Sequence, residues 1–255
     1  MKSSTFGAQA FVICSLLLSI AGIYTYGITV ENALLMITGY FLYGCLGIVV
    51  TFHRQLAHRS YETYPLLTKI FSVLGCFAGT GSPLAWVAIH INHHLKSDKP
   101  SDPHSPLYKG IKIFSFNYEH DVDASTKWRM RKLVIDPFHQ FLHRYYFGII
   151  VAWGILLYAL GGFYLMIFLH LAPAIITAFM SNAVNYIGHK PTWWGAFRTY
   201  QLNDQSTNNW LWSIPSWGET WHNNHHRFPR NYTTQHKWWE IDISGLIIKL
   251  FRIRS

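Results

Sequence analysis

The chain has 255 residues, of which half are hydrophobic and only 13% are charged, and its mean hydropathy is positive, a composition that excludes an ordinary water-soluble domain and points to a membrane protein. The formal net charge of +9 suits loops held on the cytoplasmic side and attraction to anionic lipid head groups, while the lack of a basic run carrying a nucleic-acid motif excludes nucleic acid as a partner. Cys14, Cys45 and Cys76 lie in apolar stretches without disulfide or zinc spacing and read as small buried apolar residues.

From the N-terminus, residues 8–27 are almost wholly apolar, roughly the 20 needed to cross the hydrocarbon core, and read as a retained span rather than a signal peptide. A short turn containing Glu31 leads to a second apolar run, 33–52. Arg54, Arg59 and Lys69 follow it, so the two spans form a hairpin that returns to the cytoplasm just before His53. Residues 66–89 are long enough to cross again. Crossing, however, would part His53 and His58 from His90, His93 and His94, and Gly79-Thr-Gly-Ser-Pro83 is a breaker that divides the stretch into two short helices. The prediction is a segment that dips into the membrane or lies along it.

The region from Lys96 to Arg144 is polar, and residues 123–142 within it are predicted to form an amphipathic helix on the membrane surface, bent or broken near Pro137. Residues 145–184 are apolar over twice the length of one span and carry Gly161-Gly162 in the middle. They read as a second hairpin, 145–161 and 163–184, which releases His189 on the cytoplasmic side. The expected fold is one all-α integral-membrane domain spanning 1–255, with four transmembrane helices in two hairpins. Both termini and the regions 53–144 and 185–255 are then cytoplasmic and form a helical cap carrying a histidine-rich di-metal site.

The histidines carry the chemical signal. His90-Ile-Asn-His93-His94 and His222-Asn-Asn-His225-His226 repeat the spacing H-x-x-H-H, which places three imidazoles on one helical face, and Asn185 and His189 share a face at spacing four. His53 and His58 are five apart, about 140° on an ideal helix, and should not share one metal unless the helix bends there. Nine imidazoles exceed the four ligands of a tetrahedral zinc site and suit two metals with four or five ligands each. Glu219, Asp98 and Asp102 read as acceptors that orient ligand imidazoles from behind. His104, His120, His139, His143, His170 and His236 read as satisfied core or interface histidines, with His170 neutral inside a span.

In order along the chain, His53-Arg-Gln-Leu-Ala-His58-Arg-Ser, His90-Ile-Asn-His-His94 with Asp98, Asp102-Pro-His104-Ser-Pro, Asn185-x-x-x-His189, Asn208-Asn209 and Gly218-Glu-Thr-Trp-His-Asn-Asn-His-His226 resemble the membrane fatty-acid desaturases. The similarity is greatest to the Δ9 acyl desaturase branch, the stearoyl-CoA desaturase-like proteins. The resemblance implies an O2-dependent enzyme that introduces a cis double bond, most typically Δ9, into a saturated acyl chain. It implies a di-iron centre held by His53, His58, His90, His93, His94, His189, His222, His225 and His226 and, through water, by Asn185, above a narrow acyl tunnel. With no His-Pro-Gly-Gly haem signature and no cysteine cluster, the electron donor is a separate protein such as ferredoxin or cytochrome b5.

Ala88, Ile89 and Ile91 stand where acyl-CoA members of the family carry charges, which favours a lipid-linked or carrier-protein-linked acyl chain over a CoA thioester. The tunnel floor is expected on the second span around Thr38 to Gly44, with Tyr40 and Tyr43 setting chain length. The competing readings are a hydroxylase of the same superfamily acting on an alkane, sterol or carotenoid, and a non-catalytic membrane metal-binding protein. The latter is disfavoured because the clusters lie outside the spans and no repeat is visible.

Overall fold

The computed structural model describes residues 5–116 and 122–253, so His120 lies outside the described residues. In chain order the helices are α1 (Thr5–Tyr26), α2 (Val30–Ala57), α3 (Pro65–Phe77), α4 (Pro83–Lys96), α5 (Pro106–Lys109), α6 (Ala124–Arg129), α7 (Arg131–Val134) and α8 (Pro137–Arg144). The apolar stretch Tyr146–Gly188 follows as α9 (146–160) and α10 (163–188). It is divided at Gly161 and Gly162, where Gly162 has φ 63° and ψ −161°, a conformation that costs only glycine nothing. After α10 come the two-residue strands β1 (Ala196–Phe197) and β2 (Asn208–Asn209), paired antiparallel with Phe197 opposite Asn208, and then α11 (His222–Arg227) and α12 (Ile243–Phe251).

Local chemistry sets these boundaries. Proline occupies the first turn of α3, α4, α5 and α8, where its missing N–H is no loss. Thr29, Ser82, Ser105, Asp123, Asp136 and Asp242 cap helices by accepting a backbone N–H from the first turn. The stretch 66–89 is two helices, parted over residues 78–82. The amphipathic segment 123–142 is not one helix broken at Pro137 but three short pieces. The unforeseen break falls at Met130, with φ −95° and ψ 9°, where no proline or glycine announces it.

Among the described residues three helical stretches are long and apolar enough to cross a membrane: Gly7–Tyr26, Val30–Ala57 and Tyr146–Gly188. The fold is organised around α2, which is buried almost continuously from Tyr43 to Arg54. Cys76, Phe77, Leu142 and Ile150 pack around its Ile48 and Phe52 on one side, and Tyr61 and Ile248 cover Cys45 and Val50 on another. Against α3 the backbones touch: a Cβ on Gly47 would lie 2.4 Å from the Gly75 nitrogen, so a side chain here must push the helices apart.

From Phe41 to Ala57, α2 is wound as a π-helix, closing with the His58 N–H on the His53 carbonyl at 3.1 Å. Such i→i+5 bonding stacks residues five apart. The spacing of five allowed His53 and His58 to share a group only if the helix is distorted there, and α2 shows that distortion: their ring centroids are 4.9 Å apart.

Candidate metal centre

The nine imidazoles meet at the end of α2 in two groups. His53, His58, His90, His94 and His225 form one, and His93, His189, His222 and His226 form the other, with the potential ligand atoms of each group within 4.8 Å of one another. The two H-x-x-H-H helices are shared out between them. On α4, His90 and His94 serve the first group and His93 the second; on α11, His222 and His226 serve the second and His225 the first. Spacing four keeps a pair on one face, while the third ring faces the neighbouring group. The groups abut at His94 and His226, whose rings stack at 4.5 Å.

Each of these rings points Nε2 inward: His53 faces His225 at 3.1 Å, His58 faces His90 at 2.7 Å and His189 faces His222 at 3.0 Å. Carboxylates fix the orientation from behind. His93 Nδ1–H donates to Asp102 Oδ1 at 2.9 Å, His189 Nδ1–H to Asp98 Oδ2 at 2.8 Å and His226 Nδ1–H to Asp204 Oδ2 at 2.9 Å, while His53 Nδ1 lies 2.5 Å from Glu219 Oε2. A carboxylate only accepts, so these partners put the proton on Nδ1 and leave a lone pair on Nε2. Asp204 was not singled out from sequence, because it stands in a loop 22 residues before His226 and belongs to no local spacing.

Burial acts in the same direction. It pushes His90, His94, His222 and His225 well below the usual imidazole range, helped by neighbouring rings, and takes His226 to about 4. At His93 burial also lowers the pKa, but the Asp102 carboxylate outweighs it and the net direction is up. Asp98, Asp102, Asp204 and Glu219 resist their own burial and stay below the usual carboxylate range because imidazoles, Arg54 in the case of Glu219, and backbone N–H groups face them.

These donors suit a transition metal. The Nε2 atoms of His93 and His226 are buried and meet no hydrogen-bond partner in the protein, while their Nδ1 atoms are committed to carboxylates. An all-imidazole set of neutral ligands with carboxylates behind it fits iron, zinc or copper rather than magnesium or calcium. Asn185 donates its Nδ2 to the Ser181 carbonyl at 3.0 Å and lines the cavity described below.

The scaffold is held by pairs distant in sequence. Arg54, 1% exposed, donates to Glu219 Oε1 at 2.7 Å and to both oxygens of Asp242 at 2.8 and 3.0 Å, which ties His53's carboxylate to the N-terminus of α12. The two asparagines inside the last motif pin α11 to the β1–β2 connection. Asn223 Oδ1 accepts the N–H groups of Thr199 and Tyr200, and Asn224 Oδ1 accepts from Asn208 Nδ2. The remaining described histidines stay outside both groups: His139 bonds Asp136 and Ser72, His143 bonds Ser82, His236 bonds Tyr200, and His170 packs among Phe11, Tyr43 and Phe77. His104 meets the His93 ring edge-on, with centroids 5.8 Å apart, and reaches the cavity wall.

That cavity starts at His53, His90, His222 and Glu219 and runs between α2 and α10 into the apolar helices. Val49, Trp86, Ile89, Met180 and Val184 make its walls, and Tyr40, Gly44 and Trp217 line it farther along α2. Tyr40 is thus where sequence placed it. Tyr43 is not: it is fully buried, its hydroxyl donates to the Leu169 carbonyl and accepts from Trp153, and it does not line the cavity.

Two imidazole groups beside a largely apolar cavity are the arrangement of a metal-dependent enzyme with an apolar substrate. Residues 31–242 match the family model for fatty acid desaturases, and the chain belongs to that family. It is 35% identical over 222 residues to the sn-1 stearoyl-lipid 9-desaturase of Anabaena variabilis, covering 84% of this chain and 78% of that protein. It is 35% identical over 214 residues to Delta-9 acyl-lipid desaturase 1 of Arabidopsis thaliana (82% and 69%), and 31% identical over 253 residues to the Acyl-CoA C20 Delta5-desaturase of Anemone leveillei (97% and 72%). The protein is therefore an oxidoreductase of the desaturase type.

Proposed function

We propose that this chain introduces a Δ9 double bond into the saturated acyl chain of a membrane glycerolipid, using O2, two iron ions and electrons from a separate carrier. The observation that carries this reading is the juxtaposition of the two imidazole groups with an apolar cavity directed between α2 and α10. The relatives named as acyl-lipid Δ9 enzymes, together with Ala88, Ile89 and Ile91 beside the second motif, favour a lipid-linked chain over a CoA thioester.

His53, His58, His90, His94 and His225 would hold one iron, and His93, His189, His222 and His226 the other, with Asn185 reaching the second group through water. Bound iron supplies the oxidising power that an unactivated C–H bond demands. The chain's own residues do the rest. Asp98, Asp102, Asp204 and Glu219 keep the protons on Nδ1 so that each Nε2 stays a donor of its lone pair. Val49, Ile89 and Met180 exclude water and align the methylenes beside the imidazoles, and Tyr40 limits how far the methyl end advances. Reducing O2 to two waters takes four electrons; two come from the broken C–H bonds and two from the external donor. Exposed Arg227 and Arg230, immediately after the last motif, offer a docking charge for an acidic carrier of the ferredoxin or cytochrome b5 kind.

In the bilayer, α1, α2, α9 and α10 would be the four spans in two hairpins, with α3 and α4 lying along the cytoplasmic face and the site, the cap and both termini on that side. Expression in a host that lacks its own desaturase, followed by fatty-acid analysis that locates double bonds, tests the proposal. A Δ9 monounsaturated chain in the lipid fraction is expected. Hydroxylated product, or no product from an iron-loaded protein supplied with electrons, overturns it.

A further inference from the structure

Away from the histidines the cavity is lined by Tyr40 and Gly44 of α2, Thr177 of α10, and Trp217 from the segment that precedes the last histidine motif. Just beyond, the two helices close on each other. A Cβ built on Gly39 would lie 2.5 Å from Pro173 Cγ and 2.7 Å from the Leu169 carbonyl oxygen, so no acyl chain continues between α2 and α10. A chain longer than the cavity has to turn aside past Tyr40. The Trp217 indole stands there, its centroid 4.9 Å from that of Tyr40 and 5.8 Å from that of Phe41. Gly44 makes the room, since a Cβ at that position would meet the Tyr40 ring at 2.8 Å and Trp217 Nε1 at 3.2 Å.

Trp217 is held in a conformation that its own chemistry disfavours. Its φ is 62°, in the left-handed region where a bulky side chain is an outlier. Neighbours keep it there: the Trp217 N–H donates to the Ile214 carbonyl at 3.1 Å, its carbonyl accepts the Ser244 N–H at 3.1 Å and the Ser244 hydroxyl at 2.7 Å, and the Gly218 N–H donates to the Ser213 carbonyl at 2.7 Å. The Pro215 carbonyl accepts the Tyr40 hydroxyl, which ties the segment to the second ring of the pair. Backbone strain over-determined in this way is found where the side chain it places is used.

Both rings are also tied to the first imidazole group. Tyr40 stands on the same helix as His53, and Trp217 is two residues before Glu219, whose Oε2 lies 2.5 Å from His53 Nδ1. The separation between the histidines and the end of the cavity is therefore fixed from two sides, by α2 and by the segment 213–219. We infer that Trp217 is a specificity-determining residue: its indole, braced by the strained backbone of 213–218, closes the cavity beside Tyr40 and sets the longest chain accepted. The inference rests on the reading above, in which the methyl end of the acyl chain advances toward Tyr40, and adds a determinant outside α2.

The strained backbone suggests the variants. Glycine takes the left-handed conformation at no steric cost, so Trp217→Gly removes the indole while relieving the backbone, and Trp217→Phe keeps an aromatic ring in place. Each full-length, iron-loaded protein is given lipids carrying palmitoyl, stearoyl or arachidoyl chains in bilayers with a reducing system, and desaturated product is measured for each length. The ratio of arachidoyl to stearoyl turnover is expected to rise about 10-fold in Trp217→Gly and to stay near that of the unmodified protein in Trp217→Phe. An unchanged ratio in an active Trp217→Gly, or an equal rise in both variants, overturns the inference. Position is read without turnover, so that an inactive Trp217→Gly does not leave the matter open. A stearoyl lipid with a diazirine at its methyl end, photolysed in the unmodified iron-loaded protein without reductant, should label Tyr40 and Trp217. Turnover of stearoyl lipid with label on neither ring removes the stop and keeps the desaturase reading. Label on both rings without turnover of any lipid keeps the stop and removes the desaturase reading.

Discussion

Replacing Asp102 by Asn isolates what the carboxylates contribute to the metal centre. Asp102 is 1% exposed and every partner it has is a donor: His93 Nδ1–H, the Asp98 N–H at 2.8 Å and the His104 N–H at 2.8 Å. An amide has one accepting oxygen and one donating nitrogen, so either orientation sets N–H against N–H at a dry site. A buried donor left without an acceptor costs about 1–3 kcal/mol, and a hydrogen bond to a charged group is itself worth about 1.5–3 kcal/mol. These two overlap, so a loss of about 3 kcal/mol is the working figure. Released from the carboxylate, His93 also loses its fixed tautomer, and such changes behind a metal ligand weaken binding about 10–100-fold. Iron content after dialysis against a graded chelator, alongside thermal unfolding in micelles, reads both effects. If Asp102→Asn retains iron at the same chelator concentration and melts with the unmodified protein, the Nδ1 contact does not govern the ligand and the reasoning fails.

Arg54→Gln removes the guanidinium from two buried carboxylates, leaving Glu219 only His53 and Asp242 only neutral donors from Thr233, Thr234, Ser244 and Gly245, and should destabilise by about 3–5 kcal/mol, seen as a lowered unfolding temperature; an unchanged melting curve contradicts the paired role. Gly47→Ala forces α2 from α3 and should cost about 1–3 kcal/mol or more, because the obstacle is backbone; denaturant midpoints decide. Tyr40→Ala should shift the product distribution toward longer chains by about 10-fold, while Tyr43→Ala should leave chain length alone; lengthening by Tyr43→Ala alone would relocate the cavity floor. Burial lowers the pKa of His90, His94, His222 and His225, and of His226 to about 4, so below about pH 6.5 the unfolded chain binds protons that the folded chain refuses. Stability of the metal-free protein is therefore full above that pH and declines as the pH falls toward 4, which a pH series of unfolding curves will show.

Sequence made much of this visible, and for identifiable reasons. Helical spacing is local, so the pairs His90 with His94 and His222 with His226 could be read before any coordinates, as could the division of the apolar stretch before His90 and the break at Gly161-Gly162. Asp98, Asp102 and Glu219 were legible because they stand within a few residues of the motifs they serve. Arg54 with Asp242 was not, since 188 residues separate the partners and nothing local marks either. Nor was the winding of α2: its apolar sequence suits α- and π-helix alike, and only the tertiary requirement that His53 and His58 face one group distinguishes them. Tyr43 illustrates a finer limit, because neighbours on a helix as close as Tyr40 and Tyr43 can face different surroundings, one toward the cavity and one toward Trp153.

The way α4 and α11 divide their histidines between the two groups constrains how the centre can assemble. If each group holds an ion, as proposed, neither helix can order itself around one ion without presenting its remaining imidazole to the other, so the first ion captured defrays most of the ordering entropy for the second. Uptake should consequently be cooperative, with singly loaded molecules scarce, and a one-residue deletion in either helix would disable both positions together.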